Sequence, residues 1–210
     1  FPHGHTVSFH DNRMIENGRE LFHKGHSVDF FADRTVDYLR SRRNEPDPFF
    51  CFVPFNGPYG HWPAIRGESQ TRFDEIYHDL PLHSIPREGL NRRVIERYTQ
   101  RVVEAGGTPH ERFAGPLLLP NDTTSLRNYF AQTSLIDDAV GRIMTALDEN
   151  GLAEDTIIIY TADHGFSLGH HGIWGHGLAA WPSSMLRPSY NVPLVMAGPG
   201  IATADHHGLV

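Results

Sequence analysis

Two runs of apolar residues constrain the fold of this chain more than any other feature. One covers residues 49–55 and the other covers residues 156–162, and each follows a stretch with helical periodicity. Apolar runs of strand length are typical of strands that are buried on both faces, which occur mainly in parallel sheets covered by helices. A shorter run at 192–197 indicates a third strand. The alternation predicts an α/β fold, with a mostly parallel sheet sandwiched by helices.

The helices are predicted from apolar residues that recur three or four positions apart. Residues 28–43 carry such a stripe, which ends before Pro46: Val28, Phe31, Val36 and Leu39. Residues 121–151 carry a longer one, between a cluster of N-cap residues and Gly151 as the stop. Residues 63–120 fit the alternation poorly, apart from one helix at 92–104, and we interpret them as an irregular excursion over the sheet edge within one partial domain of residues 1–210.

Composition excludes several classes of protein. A net charge of −7 argues against a nucleic-acid binder, because such domains present a basic face. No apolar stretch has the length of a bilayer span. The single cysteine, Cys51, excludes an internal disulfide and argues against a zinc finger, and it leaves the compartment open. The start at Phe1 has neither Met nor a signal peptide, so we expect a cut chain or an upstream leader. The oligomeric state is not predicted.

The strongest chemical signal lies where the second apolar run ends, at Asp163, His164 and Gly165. Ligands of open parallel sheets bind beyond the carboxyl ends of strands, so this position favours a site. A carboxylate beside an imidazole supplies half of a coordination shell for a divalent cation. From the residues alone, a simple turn with a surface histidine remains an equal alternative.

A loop rich in glycine and histidine follows at residues 166–177, with four glycines and three histidines. Such a loop could return an imidazole over the bound cation, where it would contact an anion. The alternative is a surface loop with solvated histidines.

Three motifs follow one another near the end of the chain: Thr-Ala-Asp-His-Gly at 161–165, Leu-Gly-His-His-Gly-Ile-Trp-Gly-His at 168–176 and Val-Pro-Leu at 192–194. In this order they resemble motifs of the sulfatase family, which belongs to the alkaline phosphatase superfamily. Further likeness lies at 16–18, 33–39, 48–50, 56–60 and 135–143, and it is weakest between 63 and 120. The resemblance implies an incomplete alkaline-phosphatase-like α/β fold.

The resemblance also implies roles for particular residues. Asp163 and His164 would be ligands of a divalent cation, most often Ca²⁺ in this family. His176 stands where many relatives have a lysine that contacts the sulfate, which makes it a candidate for catalysis and substrate binding. Tyr59 stands where many relatives have a histidine, and His61 follows two positions later. Either one would contact the substrate, or both would pack on Trp62.

The nucleophile that the resemblance implies is a formylglycine, made from Cys or Ser in the pattern Cys/Ser-x-Pro/Ala-x-Arg. Cys51 does not begin this pattern, because Val53 and Phe55 stand at its third and fifth positions. Cys51 is instead predicted to be a buried, inert residue of the first strand. The formylglycine segment is therefore expected upstream of Phe1, and the isolated chain is predicted to be inactive.

The function that the resemblance implies is a sulfuric ester hydrolase that cleaves a sulfated carbohydrate or an aryl sulfate with the help of a metal ion. Two alternatives stay open: a phosphodiesterase or phosphonate monoester hydrolase of the same superfamily, and a non-catalytic sulfatase-like domain. The resemblance suggests a periplasmic or secreted protein whose partner is a small-molecule or carbohydrate sulfate ester.

Overall fold

The fold is seen in a computed structural model, which describes residues 9–58, 71–85, 92–106, 123–172, 174–176 and 185–203. Two short 3₁₀ turns, Ala153–Asp155 and His170–Gly172, complete the secondary structure of these residues. The elements in chain order are β1 (His10–Glu16), β2 (Arg19–His26), α1 (Ser27–Ser41), α2 (Asp74–Tyr77), α3 (Arg92–Glu104), α4 (Thr123–Glu149), β3 (Ile158–Thr161), β4 (Ser167–Leu168), β5 (Trp174–Gly175), α5 (Arg187–Tyr190) and β6 (Leu194–Ala197).

Helices α1 and α4 pack against each other and form the main core. Alanines that are fully buried on both helices, Ala32 and Ala139, belong to one apolar cluster with Val28, Leu135 and Ile136. A second cluster joins Leu39 of α1 to the end of α4. Burial of such apolar surface contributes about 25 cal/mol per Å², so this contact stabilises the fold.

The ends of helices α1 and α4 lie close to the ends predicted from the sequence. α1 begins one residue before the predicted start, and the His26 imidazole caps it by accepting the Val28 N–H through Nδ1 at 3.2 Å. α4 ends at Glu149 and is followed by Gly151, where φ is +69° and the Leu152 N–H donates to the Leu147 carbonyl at 2.9 Å. This is a Schellman stop, for which glycine is the favoured residue.

The buried face of α1 differs in part from the predicted stripe. Val28 and Leu39 are buried as predicted, but Phe31 is only half-buried. Phe30 lies in its place, 5% exposed, with its ring 5.0 Å from that of His23 on β2. The reason is the β1–β2 hairpin, which covers a side of α1 that the helical periodicity alone leaves to solvent.

The β1–β2 hairpin, which was not predicted from the sequence, precedes α1. Its turn is Asn17-Gly18, and both residues have positive φ, 50° and 77°. This sequence is typical of a two-residue hairpin turn. Met14, opposite Leu21, is fully buried.

Strand pairing among the described residues is antiparallel in all three two-stranded sheets: β1 with β2, β3 with β6, and β4 with β5. The mixture of helix and strand agrees with the predicted α/β class, while the predicted parallel pairing is not seen in this part of the chain. An apolar run indicates that a strand is favoured in a buried position. It does not indicate whether the neighbouring strand is parallel or antiparallel.

The first apolar run does not form the buried strand that the sequence predicts. Residues 49–55 are not part of a strand. Phe50 is 88% exposed, and Cys51, predicted to be buried, is exposed as well. Only part of the run reaches the core, through Phe49 and Phe55. Burial depends on partners distant in the sequence, and none of the described residues covers Phe50.

The other two predicted strands exist as β3 and β6, yet they are largely exposed. Ile158 packs on the cluster formed by α1 and α4, but Tyr160 and Val195 on the same face of the pair are 41% and 58% exposed. On the other face, Ile159 lies opposite Met196 and Leu194 opposite Thr161, and Ile159, Leu194 and Met196 are 58%, 51% and 42% exposed. We call these three residues, with Ile157 just before β3, the open face.

Helix α4 is the longest element, with 27 residues, but Asp137, Asp138 and Arg142 interrupt its apolar surface. Within the part of the chain that the structure describes, none of the helices has the length and apolar character needed to cross a bilayer.

Candidate active site

The candidate site begins where β3 ends. Asp163 and His164 follow the strand after one residue, and the Nε2 atom of His164 lies 3.5 Å from Oδ1 of Asp163. The Asp163 side chain is 88% exposed, whereas that of His164 is 34% exposed. The two side chains therefore converge, as the sequence predicts, and the carboxylate faces solvent.

The hydrogen bond of the other ring nitrogen fixes the tautomer of His164. Nδ1 lies 2.9 Å from the Gly165 carbonyl oxygen. A carbonyl can only accept, so Nδ1 carries the proton and donates it. In the neutral ring, Nε2 then presents a lone pair beside Asp163. This is the arrangement that histidine ligands of metals usually have, with the second ring nitrogen bonded to a carbonyl or carboxylate.

Gly165 holds this turn against helix α5. A Cβ atom added at Gly165 would lie 2.2 Å from the Pro188 carbonyl oxygen and 2.8 Å from that of Asn191. Two residues later, the buried hydroxyl of Ser167 lies 3.1 Å from that of Ser189. The turn that carries Asp163 and His164 is thus fixed by backbone packing, so Gly165 is required for close approach to α5.

His176 reaches the site through the β4–β5 hairpin, where Ser167 pairs with Gly175. Its ring is stacked on that of His164, with centroids 3.5 Å apart and planes within 10°. Burial lowers the pKa of His176, and His164 lowers it further, while Asp163 opposes both effects. The neutral ring is therefore favoured at neutral pH, in contrast to the permanent charge of a lysine.

The other two histidines of the loop have different surroundings. The His170 imidazole is used locally, because its Nδ1 accepts the Leu168 N–H at 3.3 Å. His171 is exposed and has a φ of 59°. Of the three, His176 is the one in ring contact with His164 among the described residues. The role of His176 stays a prediction.

An aromatic contact that was not predicted from the sequence adjoins the site. The Phe166 ring lies 5.7 Å from that of His176 and 5.6 Å from that of Tyr129 on α4. Burial, and then Tyr160, raise the pKa of Tyr129 to about 12, so its phenol stays protonated. One signal was available: Phe166 is two positions after His164, which favours the same side of an extended segment.

The residues present fit a divalent cation in part. Cations such as Ca²⁺ bind carboxylate oxygens at about 2.3–2.6 Å, so one ion can contact both members of a pair whose atoms are 3.5 Å apart. No group of three or more acidic, histidine or cysteine side chains is close enough to hold a metal ion in the described ranges. Tyr59 and His61, the other predicted site residues, lie outside the described residues.

Comparison with known proteins shows the family. The sulfatase family profile matches residues 4–210, and this chain belongs to the sulfatase family. Human iduronate 2-sulfatase is 38% identical over 182 residues, which are 80% of this chain and 30% of that protein. The chain spans about a third of the length of the curated relatives that it matches, at 32% and 30% for two of them.

Solved structures confirm the fold. The sulfatase-type protein yidJ of Bacteroides fragilis superposes with a TM-score of 0.61 at 22% identity, over 90% of this chain and 34% of that one. A phosphonate monoester hydrolase of Agrobacterium radiobacter gives 0.57 at 22% identity, over 95% and 37%. The predicted alkaline-phosphatase-like α/β fold is therefore confirmed, and so is the predicted family. Sulfatases generally use a divalent metal ion and a formylglycine.

Proposed function

We propose that the protein containing this chain is a metal-dependent sulfuric ester hydrolase, in which Asp163 and His164 are metal ligands. One observation carries the proposal: Oδ1 of Asp163 lies 3.5 Å from Nε2 of His164, at the end of a strand in a chain of the sulfatase family. Family membership supports hydrolysis of a sulfate ester. We propose that the Asp163–His164 pair marks the position of the active site.

The electrostatics of the pair favour a cation between the two side chains. Nδ1 of His164 donates to a carbonyl, so its Nε2 is an acceptor in the neutral ring. The Asp163 carboxylate is an acceptor too, and two acceptors at this distance repel each other. A shared cation removes the repulsion. A proton on Nε2 would do the same, and metal analysis separates the two cases.

The resemblance suggests Ca²⁺ as the cation and a formylglycine nucleophile outside these 210 residues. When bound, the cation would stabilise negative charge on the ester and on the nucleophile. Further ligands come, in this proposal, from parts of the protein beyond the described residues. Asp163 and His164 hold one side of the ion, and the hydrogen bond to Gly165 keeps the imidazole oriented.

His176 is proposed to contact the sulfate group from a position over His164. A neutral imidazole can donate one hydrogen bond to a sulfate oxygen and keeps no permanent charge there. Tyr59 and His61 are proposed as further substrate contacts, on the basis of the resemblance alone.

The substrate class proposed is a sulfated carbohydrate. The relatives include an iduronate 2-sulfatase, which is named for a sulfated sugar, and an N-acetylglucosamine-6-O-sulfatase. Another relative is named as an extracellular sulfatase, which supports the proposal that this protein acts outside the cytoplasm.

The test is hydrolysis by the complete natural polypeptide. We expect release of sulfate from 4-nitrophenyl sulfate or a sulfated disaccharide, loss of activity after chelation, and recovery on adding Ca²⁺. Asp163→Asn and His164→Ala should lower kcat and the bound metal measured by elemental analysis. Asp155→Asn and His78→Ala, at positions away from the pair, should change neither.

Three results would overturn the proposal. Faster turnover of a phosphonate monoester than of any sulfate ester would favour the related hydrolase, whose fold this chain shares. Absence of turnover of every ester would favour a non-catalytic domain. Full metal content in Asp163→Asn and His164→Ala would place the metal elsewhere.

A further inference from the structure

We propose that Phe166 is a positioning residue that holds the imidazole of His176 in its reactive orientation. The inference rests on the proposed function, since it concerns the same site. It assigns a role to a residue that neither the motifs nor the metal ligands include.

The His176 ring is in contact with two other rings. The ring of His164 is stacked on it at 3.5 Å, and the ring of Phe166 meets it at 5.7 Å with an interplanar angle of 48°. The first contact is parallel and the second is tilted, and tilted aromatic pairs at this distance are favourable. The two neighbours come from one short segment, residues 164–166, so a single turn defines both contacts of the imidazole.

Phe166 is itself anchored to the core. It packs against a cluster formed by Leu82, Leu126 and Leu168, and its ring contacts that of Tyr129 at 5.6 Å. Leu126 is fully buried, and both Leu126 and Tyr129 belong to helix α4. Phe166 therefore connects the candidate site to helix α4 through its packing.

Contacts of the ring bear directly on the orientation of His176. The residue directly follows β5 (Trp174–Gly175), which is paired with β4. Backbone pairing does not set the two side-chain torsions of an imidazole, whereas contacts of its ring restrict them. A misplacement of a catalytic group by about 1 Å costs on the order of a hundredfold in rate, so a contact of this kind is significant for the reaction.

The experiment compares three substitutions of Phe166 with a matched control in the complete natural polypeptide. Phe166→Ala removes the ring, Phe166→Leu keeps apolar volume without a ring, and Phe166→Tyr restores the ring. The control is Phe130→Ala, because Phe130 is a half-buried phenylalanine packed on the same cluster, and its ring contacts Tyr77. The measurements are kcat and KM for a sulfate ester, the Tm, and the NMR shift of the His176 Cε1–H proton, which is assigned by its loss in His176→Gln.

We expect Phe166→Ala and Phe166→Leu to lower kcat by about tenfold to a hundredfold. KM should change less, and Phe166→Tyr should restore kcat. Phe130→Ala should lower Tm as much as Phe166→Ala does, while its kcat falls less than about twofold. Only Phe166→Ala and Phe166→Leu should move the His176 signal, because the ring current of Phe166 is lost.

The outcomes separate this inference from the proposed function. If the natural protein hydrolyses no ester, the proposed function fails, and the NMR shift still tests the ring contact through which Phe166 would position His176. A His176 signal that is unchanged in Phe166→Ala overturns the inference, whatever the activity. So does an equal loss of kcat in Phe166→Ala and Phe130→Ala, which would reflect stability alone.

Discussion

At Gly165, the backbone of one turn touches the backbone of helix α5. The nearest atoms to a Cβ added at this position are the carbonyl oxygens of Pro188 and Asn191, at 2.2 and 2.8 Å. Carbonyl groups of a backbone held by packing cannot move aside as a flexible side chain can. The same turn carries Asp163 and His164. The stability of the protein and the geometry of the site therefore both depend on the absence of a side chain at Gly165.

We therefore predict that Gly165→Ala destabilises the protein by about 1–3 kcal/mol, the usual cost of overpacking. It should also lower metal content, because His164 moves with the turn. Urea unfolding and elemental analysis provide the measurements. The control is Gly141→Ala on α4, where a Cβ would have nothing within 4 Å, so stability should be equal or slightly higher. Equal stabilities for the two variants would contradict the prediction.

His26 combines burial with a function as a helix cap. The residue is 4% exposed, and its Nδ1 accepts the Val28 N–H. The pKa of His26 is lowered from 6.5 to about 4, mainly by burial and also by the nearby His10 and Arg72, while Asp29 and Asp74 oppose the shift. The folded state thus favours the neutral ring, and the unfolded state binds the proton more readily.

The sign of the pH effect follows from that difference. Stability from the neutral ring is present above pH 6.5 and is lost as the pH falls from 6.5 towards 4. The loss is on the order of 3 kcal/mol at the acidic end. His26→Asn should flatten this pH dependence, since asparagine also caps helices but does not titrate.

Urea unfolding at several pH values between 7 and 4 provides the measurement for His26→Asn. The control is His78→Asn, because the His78 side chain is 75% exposed and should leave the pH dependence as it is in the natural protein. An unchanged slope of stability against pH in His26→Asn would show that other groups cause the acid sensitivity.

The residues of the site differ in how far the sequence could predict them. Asp163 and His164 were identified because they are adjacent and end an apolar strand, and His176 because it belongs to a family motif. Phe166 was missed because its role depends on Tyr129, which is distant in the chain. The importance of Gly165 was predicted as a turn, whereas its physical cause, the contact with α5, is visible only in three dimensions.

At the scale of elements, a charged network links α1, α4 and the segment before α2. Asp29 accepts from Nη1 of Arg72 at 3.1 Å and from Nη1 of Arg142 at 3.2 Å. Arg72 also contacts Asp138, and Arg142 contacts Asp33. Each arginine pairs with two carboxylates and the side chains are only partly exposed, so the network is worth more than isolated surface pairs.

We predict that Arg142→Met, which removes two of these contacts, destabilises the protein by about 1 kcal/mol at low salt. The cost should shrink in about 1 M salt, because screening weakens the contacts of partly exposed charges. The matched control is Arg40→Met on α1, whose single pair with Asp37 is 3.5 Å long and more exposed. Urea unfolding at both salt concentrations gives the values. Equal costs at the two positions would argue against a cooperative network.

The elements also show what kind of structure a sequence predicts well. The bounds of α1 and α4 agree with the prediction within about two residues, because apolar periodicity and capping residues are local signals. The locations of β3 and β6 were predicted too, but their burial and pairing were not. Those properties depend on which distant segment lies beside each strand. The β1–β2 hairpin was missed although Asn17-Gly18 is a strong turn signal.

At the scale of the whole molecule, the open face is an exposed apolar patch among the described residues. Its members, Ile157, Ile159, Leu194 and Met196, are each more than 40% exposed and lie together on one side of the β3–β6 pair. Single exposed apolar residues are common, but a contiguous apolar patch is rare on soluble monomers and marks a contact surface. The opposite side of the same pair packs on α1 and α4 through Ile158.

We predict that the 210-residue chain by itself binds a hydrophobic dye such as ANS through the open face. Ile159→Lys combined with Met196→Lys should reduce the dye fluorescence strongly, because these two residues lie opposite each other and form the centre of the patch. The control is Phe22→Lys, which removes a phenylalanine that is 63% exposed on the β1–β2 hairpin, outside the patch. If the control reduces the fluorescence as much as the double variant does, the dye reports general exposure and the open face is not a distinct surface. If only the double variant reduces it, the open face is one distinct apolar patch on this chain. The sequence then predicts the burial of β3 and β6 from apolar residues that are exposed in these 210 residues.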